Sequence, residues 1–343
     1  MAIISSVLLI GASVLSVSSQ TTTAPPASTP TLGNSPLPLT QYSFTYPNLP
    51  EQVNPFPVGR GPQSGYNICN STTEGSKSLC QTMFLNSIED FCLWGSPKPN
   101  GVVGDVEAEV VAYCSKPGHG TRIMPPGTLT AVQFIQTPGY IQVTGLFNQT
   151  GIGLKASDSG GELDPHGADK AGNPLGGLLF SNNLPGAKNN TITQVKNWSN
   201  FVGSNQFCFK ACNNKITSPD YCLNIYDVEG CDFNMPASYK PNEFSVCLGD
   251  NQNPPGGDPV IPATSSCTTY SSTDLYPNTA TTSTTATGSV SGSASGSGVT
   301  ATSTKASSAS SDASPAIGMP GFGLFAFYVS TIVGAMVGVV AVL

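Results

Sequence analysis

The sequence predicts a mainly β fold with short helices: a disulfide-stapled β-rich domain followed by a disordered Ser/Thr-rich stalk. Three observations predict it. Two adjacent β-rich runs are joined by a proline and a glycine, ten cysteines are confined to the middle of the chain, and the composition shifts to Ser, Thr, Gly and Ala after the last cysteine. The fold should therefore depend on strand pairing and disulfides within the central part of the chain.

The N-terminal part of the chain has the composition of a secretion signal and a leader. Residues 1–19 are uncharged and apolar and end in small residues before Gln20, which is typical of a secretory signal peptide. A retained membrane anchor is the alternative, which the short apolar run disfavours. Residues 20–40 are rich in Thr and Pro and should form an extended leader, because they bury too little apolar surface to offset the entropy of ordering. The globular domain is expected over residues 41–267.

The C-terminal part of the chain resembles a stalk and a processing signal. More than half of residues 268–312 are Ser or Thr, which indicates an O-glycosylated stalk, with an unmodified flexible linker as the alternative. Residues 313–343 are apolar and uncharged, whereas a spanning helix normally has polar flanks on both sides. A GPI-attachment signal, removed on maturation with the lipid joined at Ser311, is the favoured interpretation.

The cysteine content indicates an oxidising compartment. An even number of cysteines behind a predicted signal peptide predicts five disulfides, although the count leaves their pairing open. A structural zinc site is the competing use, which the lack of a Cys-x-x-Cys pair disfavours. The cysteines are Cys69, Cys80, Cys92, Cys114, Cys208, Cys212, Cys222, Cys231, Cys247 and Cys267.

The clearest local prediction is a hairpin. Thr128–Gln136 and Tyr140–Phe147 are β-rich runs joined through Pro138 and Gly139, residues that favour a tight turn. Further on, Gly176–Phe180 predicts a short strand. Cys208 and Cys212 are four residues apart and would lie on one face of a helix if that segment is helical.

Two segments before the hairpin have interpretable periodicity. The apolar spacing of Ser76–Trp94 predicts a short helix. Val106–Cys114 alternates, which predicts a half-buried strand with Glu107 and Glu109 about 7 Å apart on its wet face. Two charges on a wet strand face are the favoured interpretation, and an inverting glycosidase pair, which that separation would also suit, is the alternative.

Charge and motif content exclude several functions. The net charge is −7 and the chain has only two arginines, so a nucleic-acid partner is excluded, because phosphate binding needs clustered basic residues. The folded part has no nucleophile elbow, P-loop, His-Glu-x-x-His helix or dinucleotide fingerprint. No cofactor or metal is expected, an enzyme is not indicated, and Trp94 and Trp198 are expected in the core.

The remaining candidate site consists of two polar loops that flank the hairpin. Imidazole with carboxylates can serve acid–base chemistry or metal binding, although two histidines and one acid leave most catalytic metal sites incomplete. The favoured interpretation is that both loops are turns tied by their polar side chains, with a site as the alternative. The candidate residues are His119, Arg122, Glu162, Asp164, His166 and Asp169.

Four Asn-x-Ser/Thr sequons predict N-glycosylation and surface exposure. They begin at Asn70, Asn148, Asn189 and Asn197.

Several blocks of the folded part resemble the fungal macrophage-activating glycoprotein family, which includes an immunoreactive mannoprotein of a pathogenic yeast. The resemblance covers residues 42–249. The blocks are Asn67–Asn70 (NICN), Cys80–Thr82 (CQT), Asp90–Trp94 (DFCLW), Lys116–Arg122 (KPGHGTR), Gly161–Asp169 (GELDPHGAD), Phe207–Cys212 (FCFKAC) and Ile225–Cys231 (IYDVEGC).

The resemblance implies a GPI-anchored, heavily mannosylated protein of the plasma membrane surface and cell wall, partly secreted, that host immune lectin receptors recognise through its mannose glycans. It implies no enzyme and no catalytic residues. A wall-polysaccharide binding or modifying protein, with its site between the His119 and His166 loops, is the alternative function that the residues leave open.

Overall fold

A computed structural model describes residues 30–187 and 191–276 of the chain. The strands are β1 (Thr82–Phe84), β2 (Cys92–Gly95), β3 (Val111–Cys114), β4 (Arg122–Ile123), β5 (Leu129–Gln136), β6 (Tyr140–Phe147), β7 (Gly161–Leu163), β8 (Leu178–Ser181), β9 (Thr193–Val195), β10 (Trp198–Gly203), β11 (Gln206–Cys212), β12 (Phe244–Gly249) and β13 (Thr264–Tyr270). The α-helices are α1 (Val103–Val106), α2 (Gly230–Asn234) and α3 (Ser272–Leu275), and 3-10 turns cover Leu39–Gln41 and Gln149–Ile152. The predicted mainly β class is confirmed. None of these helices has the length and apolar character to cross a membrane.

A seven-stranded sheet in the order β13-β12-β5-β6-β11-β10-β7 organises the domain. Its pairs are antiparallel except for β12 with β5. The predicted hairpin forms its centre as β5 and β6. The Thr137 hydroxyl accepts hydrogen bonds from the backbone N–H groups of Gly139 and Tyr140, which closes the connecting turn. This local turn chemistry explains why the hairpin was predictable from the sequence.

Two smaller sheets, in the orders β1-β8-β9 and β2-β3-β4, share one hydrophobic core with the large sheet. Trp94 on β2 and Trp198 on β10 are both buried, with ring centroids 6.1 Å apart. Both tryptophans are therefore core residues, as predicted.

Strand β11 separates this core from a second layer. Its side chains alternate along the strand, as strand geometry requires. Phe207, Phe209 and Ala211 enter the main core, whereas Cys208 and Cys212 join small clusters on the opposite side. The second layer is built from the segment that follows β11.

All ten cysteines are paired, which confirms the predicted five disulfides. The first four cysteines pair among themselves and the last six do the same. The pairs are Cys69–Cys80, Cys92–Cys114, Cys208–Cys231, Cys212–Cys222 and Cys247–Cys267.

The helix predicted over Ser76–Trp94 is wrong, because this segment contains β1, a turn and β2. Its strands are buried on both faces, and a short, fully buried strand has the same continuous apolar pattern as a buried helix. Leu79, which the helix would have buried, is 36% exposed.

The strand predicted over Val106–Cys114 is also wrong in its first half. Helix α1 ends at Val106, Glu107 and Glu109 lie in the following turn, and only Val111–Cys114 forms β3. Glu107 contacts Arg60 at 3.5 Å and Glu109 is exposed, so the two carboxylates do not form the paired site that alternation would have given. Within β3 the predicted wet face is also absent, because Val111 and Tyr113 are buried together with Ala112 and Cys114.

Other sequence predictions meet mixed outcomes. Strand β8 confirms the strand predicted over Gly176–Phe180. The segment that carries Cys208 and Cys212 is strand β11, so the condition of a helical segment is not met. Ordered structure continues past residue 267 to Tyr276, whose hydroxyl donates to the Ile88 carbonyl at 2.6 Å. The proposed signal peptide, most of the proposed stalk, the Asn189 sequon and Ser311 lie outside the described residues.

Candidate ligand-binding cleft

Two disulfides fasten one loop to the outer face of the large sheet. Cys208 and Cys212 project from the same face of β11, and they pair with Cys231 and Cys222 respectively. The loop over residues 222–231, called the stapled loop below, is therefore fixed at both ends. Four-residue spacing places two side chains on one face of a strand, as it would on one face of a helix, so both cysteines face the same side.

A cleft of about 770 Å³ lies between the stapled loop and the β7 edge of the large sheet. Strands β7 and β10 and the turn after β7 supply its other walls. Ile225 and Val228 of the stapled loop line this cleft with 65% and 94% of their surface exposed. The cleft therefore combines polar walls with strongly exposed apolar side chains, a composition typical of ligand sites.

Glu162 is the most unusual residue of the cleft. It lies opposite Phe201 in the β7–β10 pair, and its Oε1 atom accepts a hydrogen bond from the Ser199 hydroxyl at 2.7 Å. Its side chain is nearly inaccessible, and Oε2 has no hydrogen-bond partner among the described residues. Burial raises the pKa of Glu162 to about 8; the Ser199 hydrogen bond opposes this rise, and the charges of Asp164 and Asp227 add to it.

Asp164 organises the turn that carries His166. Its Oδ1 atom accepts hydrogen bonds from the backbone N–H groups of His166 and Gly167, at 2.8 and 2.9 Å. Burial raises the pKa of Asp164 above its usual value, and these hydrogen bonds only partly oppose the rise. The His166 ring contacts the Asn224 side-chain amide through Nδ1, which joins this turn to the stapled loop. Both predicted residues therefore line the cleft.

Asp169 serves a different purpose from the one that the sequence suggested. Its carboxylate forms a bidentate pair with Arg60, with Nε–Oδ2 and Nη2–Oδ1 distances of 3.0 and 2.8 Å. The hydrogen bond from Arg60 lowers the pKa of Asp169. Arg60 also donates to the Asn173 side chain and the Gly172 carbonyl. The pair braces the His166 turn from outside the cleft.

His119 and Arg122 do not line the cleft. The Nε2 atom of His119 lies 2.6 Å from Asp90 Oδ1, and its ring stacks on Phe84 with a centroid distance of 4.1 Å. Arg122 is buried and donates to the Ser78 and Pro97 carbonyls and to a tyrosine hydroxyl. The expectation that the two histidine loops form one site is wrong, because the His119 loop is committed to neighbours elsewhere.

Sequence reasoning missed three residues that shape this region. Asn224 and Asp227 reach the cleft because disulfides fold the stapled loop back onto β11, and no local pattern predicts that. Lys210 is fully buried between the two stapled cysteines and donates to the Tyr221 and Asn234 carbonyls and to a glutamine side chain. The available signal was its two-residue spacing from Cys208 and Cys212, which places all three side chains on one face of a strand.

The cleft does not have the geometry of a metal centre. Within the described ranges, no group of three or more His, Cys, Asp or Glu residues is arranged to hold a metal ion. The arrangement instead offers hydrogen-bonding groups and apolar contacts.

The fold and the cleft define a disulfide-rich β-sheet protein with a polar cleft at the edge of its main sheet. No family model and no solved structure matches the chain. It is 44% identical over 201 residues to Appressorium protein ROW2 of Mycosarcoma maydis. The matched stretch covers 57% of this chain and 68% of ROW2. It is 42% identical over 238 residues to Appressorium protein ROW1 of the same fungus, and this match covers 64% of the chain and 55% of ROW1. The chain belongs to the family of these two fungal proteins.

Proposed function

We propose that the chain is a non-enzymatic, GPI-anchored mannoprotein of the fungal cell surface and cell wall. The pairing of all ten cysteines carries this proposal, because disulfides form and persist on the secretory route and are rare in the cytosol. The names of ROW1 and ROW2 assign those proteins to the appressorium, which agrees with a role at the cell surface.

Two sequons support the glycoprotein part of the proposal. Asn70 and Asn148 are exposed, and in each the Oδ1 atom accepts hydrogen bonds from the backbone N–H and the hydroxyl of the sequon threonine. Their Nδ2 atoms, which would carry the sugar, donate no hydrogen bond within the described part of the chain. Asn197 differs, because its Nδ2 atom donates to Asp220 at 2.8 Å.

Immune recognition would follow from glycans rather than from chemistry in the fold. The resemblance to macrophage-activating glycoproteins supports host lectin receptors as partners for the mannose glycans. The lipid would hold the protein on the plasma membrane, with a fraction in the wall or released.

Phospholipase treatment of intact fungal cells tests the anchor. The full chain should be found on the cells and be released by phosphatidylinositol-specific phospholipase C, whereas a variant without residues 313–343 should be found in the medium. If phospholipase left the full chain on the cells and only detergent removed it, the anchoring proposal would be overturned. Retention of the truncated variant on cells would also overturn it.

Wall-polysaccharide binding is the second candidate function, and the cleft favours it. Its site would lie between His166 and the stapled loop rather than between the two histidine loops. Exposed apolar side chains above hydrogen-bonding walls suit sugars, which have both apolar faces and hydroxyl groups.

A matched pair of surface variants tests the second function. Val228→Ser removes an apolar side chain of the cleft, and Val260→Ser removes one that is 57% exposed and does not line it. Retention on β-glucan or chitin should fall for Val228→Ser and remain normal for Val260→Ser. Equal retention of both variants, or no retention of the unmodified protein, would contradict it.

A further inference from the structure

The cleft carries acidic groups that its own lining does not balance. Four of its lining residues bear carboxyl groups, and within the described part of the chain no lysine or arginine lines it. Arg60, which lies outside the cleft, is engaged by Asp169 and lies 3.5 Å from Glu107. The other three carboxyl groups take part in no ion pair among the described residues. The four acidic residues are Glu107, Glu162, Asp164 and Asp227.

Asp227 is the carboxylate most open to a ligand. It is exposed, and it lies in the stapled loop between Ile225 and Val228, the two strongly exposed apolar side chains of the cleft. Disulfides fix this loop at both ends, so the side chain is presented from a constrained segment. Asp227 can therefore pair with a cationic group without first giving up an ion pair of its own.

A second, independent indication of a ligand is a buried carboxyl with an unpartnered oxygen. Glu162 lines the cleft with 7% of its surface exposed, and its Oε1 atom accepts from the Ser199 hydroxyl. Its Oε2 atom has no hydrogen-bond partner among the described residues. A buried polar atom without a partner costs free energy, and a ligand that donates a hydrogen bond to this carboxyl group would offset that cost.

The lining of the cleft selects the chemistry of the ligand. Phosphates, sulfates and acidic sugars would be repelled by the carboxyl groups, whereas ammonium groups would be attracted. Ile225 and Val228 can pack against the apolar faces of sugar rings. A sugar chain with free amino groups matches all of these features, whereas a basic peptide lacks the row of hydroxyl groups. The uncharged polar side chains that can hydrogen-bond to such hydroxyl groups include Ser159, Ser204, Gln206 and Asn224.

We propose that the cleft binds a polysaccharide with free amino groups, such as a glucosamine chain, and that Asp227 pairs with its ammonium groups. This inference rests on the second candidate function, which it narrows from wall polysaccharides in general to amino sugars. An ammonium group carries the charge that the lining lacks and offers three hydrogen-bond donors. Acetylation of the amino group removes the charge and two of those donors, and it leaves the hydroxyl groups and ring faces unchanged.

Titration calorimetry of the full chain with two matched sugars tests the inference. Glucosamine oligosaccharides should bind roughly tenfold more tightly than N-acetylglucosamine oligosaccharides of equal length at about pH 5.5, where aspartate is ionised. This difference should shrink as the salt concentration rises, because salt screens exposed charges. A tetralysine peptide, which has ammonium groups but no sugar rings, should bind more weakly than the glucosamine chain.

A matched pair of variants locates the effect within the stapled loop. Asp227→Asn keeps the shape of the side chain and removes its charge, so the affinity for the glucosamine chain should fall roughly fivefold. The affinity of the same variant for the acetylated chain should stay nearly unchanged. Glu229→Gln is the control, because Glu229 is exposed in the same loop and does not line the cleft. It should bind both sugars like the unmodified protein.

The outcomes separate the inference from the function on which it rests. Equal affinity for the two sugars, or equal losses in Asp227→Asn and Glu229→Gln, would overturn the amino-sugar assignment and leave polysaccharide binding standing. Tetralysine binding as tight as that of the glucosamine chain would indicate a basic peptide as ligand and would also overturn it. Absence of binding to both sugars and to β-glucan would overturn the second candidate function and the inference with it.

Discussion

The His119 ring is held between Asp90 and an aromatic ring, with its Nε2 atom 2.6 Å from Asp90 Oδ1. Asp90 also accepts a hydrogen bond from the Asn86 amide at 2.9 Å and lies 3.3 Å from the Lys116 ammonium group. A histidine whose hydrogen bond and ring face are both occupied ties its loop to the domain. His119 is therefore a structural residue, in agreement with the interpretation of its loop as a tied turn.

Asp90→Asn should lower the free energy of unfolding by about 1–3 kcal/mol at neutral pH, because it removes a carboxylate that accepts two hydrogen bonds. Burial alone would raise the pKa of Asp90, but the hydrogen bonds and charges of its partners lower it below its usual value. Its stabilisation is thus present above the unfolded pKa and is lost as pH falls through the folded pKa. Urea denaturation at neutral and strongly acidic pH measures both effects.

Glu89→Gln is the matched control, since Glu89 is exposed beside Asp90. Its stability should equal that of the unmodified protein. Equal free energies of unfolding for Asp90→Asn and Glu89→Gln at neutral pH would show that the Asp90–His119 contact does not stabilise the domain.

The Arg60–Asp169 pair should contribute a small coupling energy. Both side chains are about one-third exposed, so solvent screening limits the interaction to about 1 kcal/mol despite its bidentate geometry. A double-mutant cycle with Arg60→Met and Asp169→Asn measures it. Additive effects of the two substitutions would mean that the pair does not brace the His166 turn.

Glu162 should make the protein less stable as pH rises. Its folded pKa of about 8 lies above the unfolded value, so the folded state retains a proton that the unfolded state loses. The free energy of unfolding should therefore fall between about pH 4.5 and about pH 8 by a few kcal/mol and level off above that range. Urea midpoints across this range should decline in the unmodified protein and much less in Glu162→Gln, and parallel declines would contradict the assignment.

N-glycans should be attached at the sequons whose asparagine Nδ2 atom donates no hydrogen bond within the described residues, which are those of Asn70 and Asn148. Asn70→Gln and Asn148→Gln should each remove one endoglycosidase-sensitive glycan from protein made by fungal cells. Peptide mass analysis after deglycosylation gives the occupancy directly. Unmodified Asn70 and Asn148 in that protein would contradict the glycoprotein proposal.

Features encoded in adjacent residues were predictable from the sequence. The hairpin depends on alternation and on the Pro138-Gly139 turn, and the burial of Trp94 and Trp198 depends on residue type. The helix predicted over Ser76–Trp94 failed because strands buried on both faces lose the alternation that would identify them. Local information therefore gave the centre of the large sheet but not the segments packed against it.

The candidate site was half predictable for the same reason. Asp164 and His166 belong to one polar loop, so sequence proximity placed them together. Asn224 and Asp227 join them through two disulfides, whose pairing depends on the tertiary distance between Cα atoms rather than on spacing in the chain. Asp169 was assigned to the site because nothing local pairs it with the distant Arg60.

Disulfide mapping of the protein isolated from fungal cells tests the account most directly, because the same two bridges require an oxidising compartment and shape the cleft. The protein is denatured without reduction and treated with a reagent that modifies only free thiols. Mass analysis should then find no modified cysteine and should recover peptides linked by Cys208–Cys231 and Cys212–Cys222. Cysteines modified by the thiol reagent would contradict the account. So would a Cys222–Cys231 bridge, because it would not join the stapled loop to β11.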